Sequence, residues 1–242
     1  MKDKWNRRVY VDLYAGAGYA RIRGTARSIA GSPLQALVVE HPFDKYIFCE
    51  EDLKKLDALR DRVKRVAPDA NVVYVAGDCN ERIADILAEI PAGSVNDSVL
   101  SLCFADPYNV GIRFETLRKL SVRKIDFLML LALYMDANRN YEIYVKEDAV
   151  RIDEFLGSKT WRDRWDTARK DAIQFPQFLA AEFAGSMETL KYLPTPLHTM
   201  KRVRSDETNS PLYYLALFSR SPVAYKFWGE VLKYGTDQRT LF

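Results

Sequence analysis

Arg8-Val9-Tyr10-Val11-Asp12-Leu13-Tyr14-Ala15-Gly16-Ala17-Gly18 is a strand-like apolar run that ends in an acid and a pair of glycines. Strands this continuously apolar are buried on both faces, as in a parallel sheet. The next segments repeat the pattern. Ser32-Pro33-Leu34 starts a helix, with Ser32 as N-cap and Pro33 at the first helical position, running to about Val39. Residues 46–50 form the next strand. A helix over 52–66 carries Leu53, Leu56, Leu59 and Val63 at helical spacing. A strand at 71–76 and a helix at 81–90 come next. A fourth strand, 99–105, closes on Asp106-Pro107. A short helix at 114–120 and a strand at 125–133 complete the series. Strand–helix units of this length predict an α/β fold, a parallel-dominated sheet with helices on both faces.

The pattern changes after residue 134. Residues 135–185 are polar and aromatic, with Trp161, Trp165, Phe175, Phe178 and Phe183, and read as a mostly helical insertion before the last strands. Strands are expected at 188–193 and 212–218, a loop at 201–204 and a helix at 223–233. One domain over 1–242, with a helical insertion lobe at about 135–185, is the expected organisation.

With 48% apolar and 29% charged residues, the composition is that of an ordinary globular chain. No apolar run approaches the roughly 18 residues of a membrane span. Met1-Lys2-Asp3-Lys4-Trp5 lacks the apolar stretch of a signal peptide, so a cytoplasmic location is expected. Cys49, Cys79 and Cys103 are too far apart in sequence for a zinc or redox motif and read as small core residues. His41 and His198 stand near no nucleophile motif and read as structural or solvent-facing. No metal-ligand cluster is present. The net charge of +3 is uneven: residues 1–31 hold seven Lys/Arg against two Asp/Glu, and residues 186–242 hold eight against five. Such basic ends suit an anionic partner, DNA or RNA, though solvated surface is the commoner fate of charge.

In an open parallel sheet, ligands bind beyond the carboxyl ends of the strands. Asp12 with Gly16 and Gly18, Glu50, Asp78, and Asp106-Pro107-Tyr108 all fall at such ends. This set suits S-adenosylmethionine (SAM). Glycines let the backbone of Tyr14-Ala15-Gly16-Ala17-Gly18 approach the cofactor closely. Asp12 accepts hydrogen bonds near the ammonium, Glu50 holds both ribose hydroxyls, and Asp78 accepts from the adenine amine. Cys79, beside Asp78, and Asp106 complete the candidate cofactor residues. A dinucleotide is the rival, but its fingerprint needs a third glycine where Arg21 stands, and an acid before the glycines disfavours pyrophosphate. Glu50 follows Gly18 by 32 residues, where roughly 20 are usual. The excess, residues 19–31, forms a basic loop whose Arg21 and Arg23 are candidates to hold an anionic substrate, with Asn109 as a further substrate contact.

Asp106-Pro107-Tyr108 is the candidate catalytic stretch. Aminomethyltransferases carry an Asp, Asn or Ser, two prolines and an aromatic there. The acid and a proline carbonyl accept from the target amine, and the ring stacks on a base. Here one proline is missing. A strand-terminal Asp-Pro turn is the bland alternative.

The glycine loop running into Arg21-Ile22-Arg23-Gly24-Thr25, then Gly31-Ser32-Pro33-Leu34, Phe104-Ala105-Asp106-Pro107-Tyr108, Phe155-Leu156-Gly157 with Trp161, and Leu212-Tyr213-Tyr214-Leu215-Ala216-Leu217-Phe218-Ser219, resembles the three-Cys-motif partner family. The resemblance implies a Rossmann-like SAM-dependent methyltransferase fold. It also implies association with a second protein bearing three cysteines, a radical-SAM-like partner. The expected activity is SAM-dependent methylation, with an amino group of a nucleic-acid base as the target. The alternatives are a catalytically silent, SAM-binding adaptor of that partner, or methylation of a small molecule or protein. Lys201-Arg202-Val203-Arg204 is a second basic cluster suited to phosphates.

Overall fold

The computed structural model describes residues 5–21, 24–205 and 207–234. The chain divides into two compact units, Met1–Asp106 with Thr116–Asp126, and Pro107–Glu115 with Phe127–Phe242.

The first unit runs β1 (Arg7–Asp12), β2 (Tyr19–Arg21), β3 (Ser28–Ala30), α1 (Ser32–Leu37), β4 (Lys45–Glu50), α2 (Leu53–Val66), β5 (Val72–Ala76), α3 (Ile83–Glu89) and β6 (Val99–Ala105). Its sheet has the order β5-β4-β1-β6, and every pairing is parallel. This is the Rossmann-type arrangement. The chain builds outward from β1 on one side, then crosses to the other, so the loops diverge where β1 and β6 end. That switch point carries Asp12 and Asp106.

Local chemistry explains the elements. Asp52 caps α2 by accepting the backbone N–H groups of Lys54 and Lys55. Leu56, Leu59 and Val63 bury the inner stripe of α2, while Lys64 and Arg65 sit in its last turn, against the partial negative charge there. Leu53, expected on the same stripe, is exposed at the first helical residue. Tyr10, Tyr46, Phe48, Leu34 and Leu59 share one core cluster.

Two expectations change here. The N-cap of α1 is Gly31, not Ser32. The Gly31 N–H is bound to the Gly18 carbonyl at 2.7 Å, which fixes the helix start one residue early. Ser32 turns its hydroxyl to Asp12 instead. The loop at 19–31 contains an exposed antiparallel hairpin, β2 paired with β3, in which Tyr19 opposes Ala30 and Arg21 opposes Ser28.

α4 (Phe114–Leu120) and β7 (Ile125–Leu131) each carry residues of both units. The second unit continues through a π-helical turn (Leu133–Ala137), α5 (Tyr141–Tyr144), α6 (Arg151–Leu156), α7 (Trp161–Ala168), α8 (Phe175–Thr189), β8 (Lys201–Arg204), β9 (Pro211–Phe218) and α9 (Pro222–Tyr234). Its strand order is β7-β9-β8, all antiparallel. The lobe is helical, as read from the sequence. Trp161, Trp165, Phe175, Phe178 and Phe183 are all buried, with Trp165 packed on Phe175 and Phe178 at ring separations of 4.9 and 5.2 Å.

The strand expected at 188–193 is absent. α8 keeps its helical stripe through Phe183 and Met187 to Thr189, and Lys191 then takes a positive φ of 66° that breaks extension. The loop expected at 201–204 is β8, recruited by pairing with β9. Among the described residues no helix is long and apolar enough to cross a membrane.

Gly18 has φ +84°, and a Cβ there would lie 2.9 Å from Leu59 Cδ1 and 3.1 Å from Leu34 Cγ. Gly18→Ala is therefore expected to destabilise the protein by about 2–3 kcal/mol, from backbone strain plus overpacking. Chemical denaturation checks this, and a loss below about 0.5 kcal/mol would contradict the assigned contact.

Candidate functional site

Three strand ends of the first unit meet through the glycine loop. The Leu13 N–H binds the Phe104 carbonyl of β6 at 3.1 Å, and the Ala15 N–H binds the Cys49 carbonyl of β4 at 2.9 Å. The Gly16 N–H donates to Glu50 Oε2 at 2.8 Å, while Glu50 Oε1 accepts the Asp52 N–H at 2.9 Å. The loop is thus laid across β4 by a buried carboxylate. Gly16 itself has φ +61°, and a Cβ built on it meets nothing within 4 Å. Gly18 packs on helices, whereas Gly16 faces open space. The two glycines hold different jobs.

Asp12 is fully buried at the end of β1. It accepts the Tyr14 N–H at 3.2 Å and the Tyr10 hydroxyl at 3.3 Å, with Ser32 as a further donor. All three donors are neutral. Burial raises the carboxyl pKa to about 7, against the donors, with the Asp106 charge adding to the rise.

Tyr14 reaches the end of a further strand, β5. Its hydroxyl is in hydrogen-bond contact with the Cys79 thiol, which burial pushes up to about 11. Burial likewise raises the Tyr14 phenol and the Cys49 and Cys103 thiols. The three cysteines are free and buried, the core residues expected. Among the described residues no His/Cys/Asp/Glu group could hold a metal. Asp78 is exposed and starts an Asx turn, accepting the Asn80 N–H at 2.6 Å. Its neighbour Gly77 is tied to β4 by an N–H bond to the Glu50 carbonyl at 3.0 Å.

Asp106 is solvent-open, yet crowding by protein raises its carboxyl above the usual range. Pro107 is buried. Tyr108 is 85% exposed, and Asn109 is exposed beside it. Arg21 is exposed and donates to the Thr25 carbonyl at 3.0 Å, so it braces its own hairpin. Arg23 lies outside the described residues. His41 and His198 are exposed.

Two residues escaped the sequence reading. Arg62 on α2 donates to the Ala17 carbonyl, and its guanidinium lies 5.5 Å from the Tyr19 ring centroid. It clamps the loop just past Gly16. Nothing in Asp61-Arg62-Val63-Lys64-Arg65 distinguishes it from its charged neighbours, because its partner exists only once the loop has folded. In the second unit, Asp136 sits buried on the π-helical turn. It accepts the Val110 N–H at 2.8 Å, the Asn140 carboxamide at 2.6 Å and the Tyr144 hydroxyl at 3.0 Å. It fixes the segment just after Tyr108-Asn109.

No family model matches the chain, and no curated protein matches it. Among solved structures it is similar to a protein from Legionella pneumophila of a family called DUF519. The identity is 12% and the TM-score 0.48, over 93% of this chain and 83% of that one. It is also similar to a geranyl diphosphate methyltransferase in complex with GPP and sinefungin (11%, TM-score 0.45, 90% and 74% covered). A conserved hypothetical protein of Streptococcus pyogenes is a third (9%, TM-score 0.43, 90% and 89%).

Asp12 supplies a signed pH test. Its folded pKa is raised above the unfolded value, so the folded state holds the proton more tightly. Its contribution to stability is fully present below about pH 4 and is lost as pH rises through about 7. Asp12→Asn removes this loss. Its Tm advantage over the wild type should widen by several degrees between pH 4.5 and 8. A constant gap across that range would contradict the buried, cation-free environment.

Proposed function

We propose that the chain is a SAM-dependent methyltransferase acting on an amino group of a nucleic-acid base. The observation that carries the reading is Asp12, a buried carboxylate at the topological switch point whose donors are all neutral. A buried acid without a cation is costly, and binding a cationic ligand offsets that cost. A pyrophosphate would worsen it.

The residues fit SAM. Asp12 supports the ammonium side, and the open space at Gly16 admits the ligand against the loop backbone. Glu50, already presented by two backbone donors, keeps lone pairs for the ribose hydroxyls, since a carboxylate accepts at about four sites. Exposed Asp78 and the buried Cys79 serve the adenine end. When bound, SAM supplies an electrophilic methyl group on a sulfonium. Asp106 accepts a hydrogen bond from the target amine, aligns its lone pair and takes up the released proton. Its raised pKa suits that last role. Tyr108 presents a free ring on which a base can stack. The three-cysteine partner implied by the sequence resemblance belongs to this proposal as a second component.

Affinity for SAM should fall as pH drops through about 7, because the proton on Asp12 competes with the ligand cation. Calorimetry at pH 6 and 8 reads this, and Asp12→Asn should flatten the difference while weakening binding at pH 8. Labelled methyl from SAM is expected in a DNA or RNA pool, with or without the partner present. Asp106→Ala should lose at least about a hundredfold in transfer at saturating SAM. Full transfer by Asp106→Ala would refute its catalytic role, and label confined to protein or small molecules would refute the substrate class.

A further inference from the structure

The second unit contains a cavity of about 520 Å³ that plays no part in the site above. Its floor is Trp165 and Phe175, both buried, and its walls include the half-buried Tyr134 and Tyr141. The rings brace one another. Tyr141 meets Phe175 edge-on at 5.0 Å and Trp165 at 6.0 Å, and the Trp165 N–H donates to the Tyr141 hydroxyl at 3.1 Å. The site is thus a wide-open depression with a braced aromatic floor. Two exposed carboxamides, Asn138 and Gln174, stand at its edge. Each offers a donor and an acceptor, the combination that reads the edge of a nucleobase.

Cations flank the same cavity. β8 and β9 are paired so that Arg204 opposes Pro211, a cavity-lining residue. Arg202 opposes Tyr214, and its guanidinium carbon lies 5.6 Å from the Tyr214 ring and 6.0 Å from that of Tyr134. Arg202 and Arg204 are both exposed, on either side of a register shift between Val203 and Arg204. Their hydrogen bonds go to the Tyr214 hydroxyl and the Asn209 carbonyl, and among the described residues neither has an acidic partner.

A flat ring for the aromatic floor, hydrogen-bonding groups on its edge and phosphates within reach describe an unpaired nucleotide. A base inside a duplex cannot enter, whereas single strands present their bases to aromatic platforms. We propose that this cavity takes one unpaired nucleobase of a single-stranded nucleic acid, with Arg202 and Arg204 on neighbouring phosphates. The inference rests on the nucleic-acid reading above, but its binding step needs no methyl transfer.

The test uses the full chain without cofactor and a labelled 12-nucleotide single strand, as DNA and as RNA, beside an abasic strand of equal length. Fluorescence anisotropy should show the base-containing strand binding about tenfold tighter or more. The joint Asn138→Ala and Gln174→Ala variant, altered only at exposed positions, should lose most of that preference. The joint Arg202→Ala and Arg204→Ala variant should weaken both strands and reduce the slope of log affinity against log salt by roughly 1.4, as two phosphate contacts predict. Equal affinity for abasic and base-containing strands overturns the proposal, as does an unchanged salt slope. If methyl enters nucleic acid while the two strands bind equally, the cavity assignment fails and the function stands. If base preference is present and no methyl is transferred, the reverse holds.

Discussion

Burying the Asp12 carboxylate at the end of β1 is the constraint around which the first unit is organised. A bare carboxylate in an apolar interior costs several kcal/mol, and the fold meets that cost only in part. Tyr10, two residues earlier on the same strand, supplies a hydroxyl, Tyr14 a backbone N–H and Ser32 a second hydroxyl. Each donor constrains something else. Tyr10 is locked into the aromatic cluster with Phe43, Tyr46 and Phe48. Ser32 can reach Asp12 only because α1 begins at Gly31, and Gly31 is placed by its bond to Gly18. The glycine loop, the helix start and the core thus converge on one acid, which is left with neutral partners.

The loop divides its work accordingly. Gly18 is needed because two leucines press on it, so its role is packing between strand and helices. That is the job which the dinucleotide fingerprint gives to its third glycine. Gly16 is needed for its positive φ and for the open space it leaves. Glu50 holds Gly16 from one side and Arg62 holds Ala17 from another, so the open position stands between two charged anchors of opposite sign. A loop pinned in this way presents its backbone without a large ordering cost on binding.

Most of the first unit was legible because its strands are continuously apolar and α2 carries Leu56, Leu59 and Val63 at helical spacing. The boundaries 99–105 and 114–120 coincide with β6 and α4 for that reason. What failed had no local signal. Residues 188–193 look like a strand only if α8 is ignored, and the helical stripe of Phe175, Leu179, Phe183 and Met187 takes precedence. Lys201-Arg202-Val203-Arg204 is extended because β9 lies beside it, and its own composition favours solvent. At the site, the acids at strand ends were visible from spacing. Asp136 and Arg62 were not, since each is defined by a backbone group that folding brings to it.

Charge shows the same dependence on partners. Counted by sequence window, the excess of positive charge at residues 1–31 is the larger of the two basic ends. In the structure, Arg7 is paired with Asp97 and Arg8 lies 3.6 Å from Asp44, so acids from the middle of the chain neutralise these two cations. Arg21 spends its guanidinium on its own hairpin. At the other end, Arg202 and Arg204 meet an aromatic hydroxyl and a backbone carbonyl, and among the described residues neither is paired with an acid. A field strong enough to draw an anion comes from cations without nearby counter-charge, because paired charges cancel within a Debye length. Among the described residues Arg202 and Arg204 are therefore candidates for a phosphate contact that Arg7 and Arg8 are not, and the pairing pattern that decides this exists only in the folded chain.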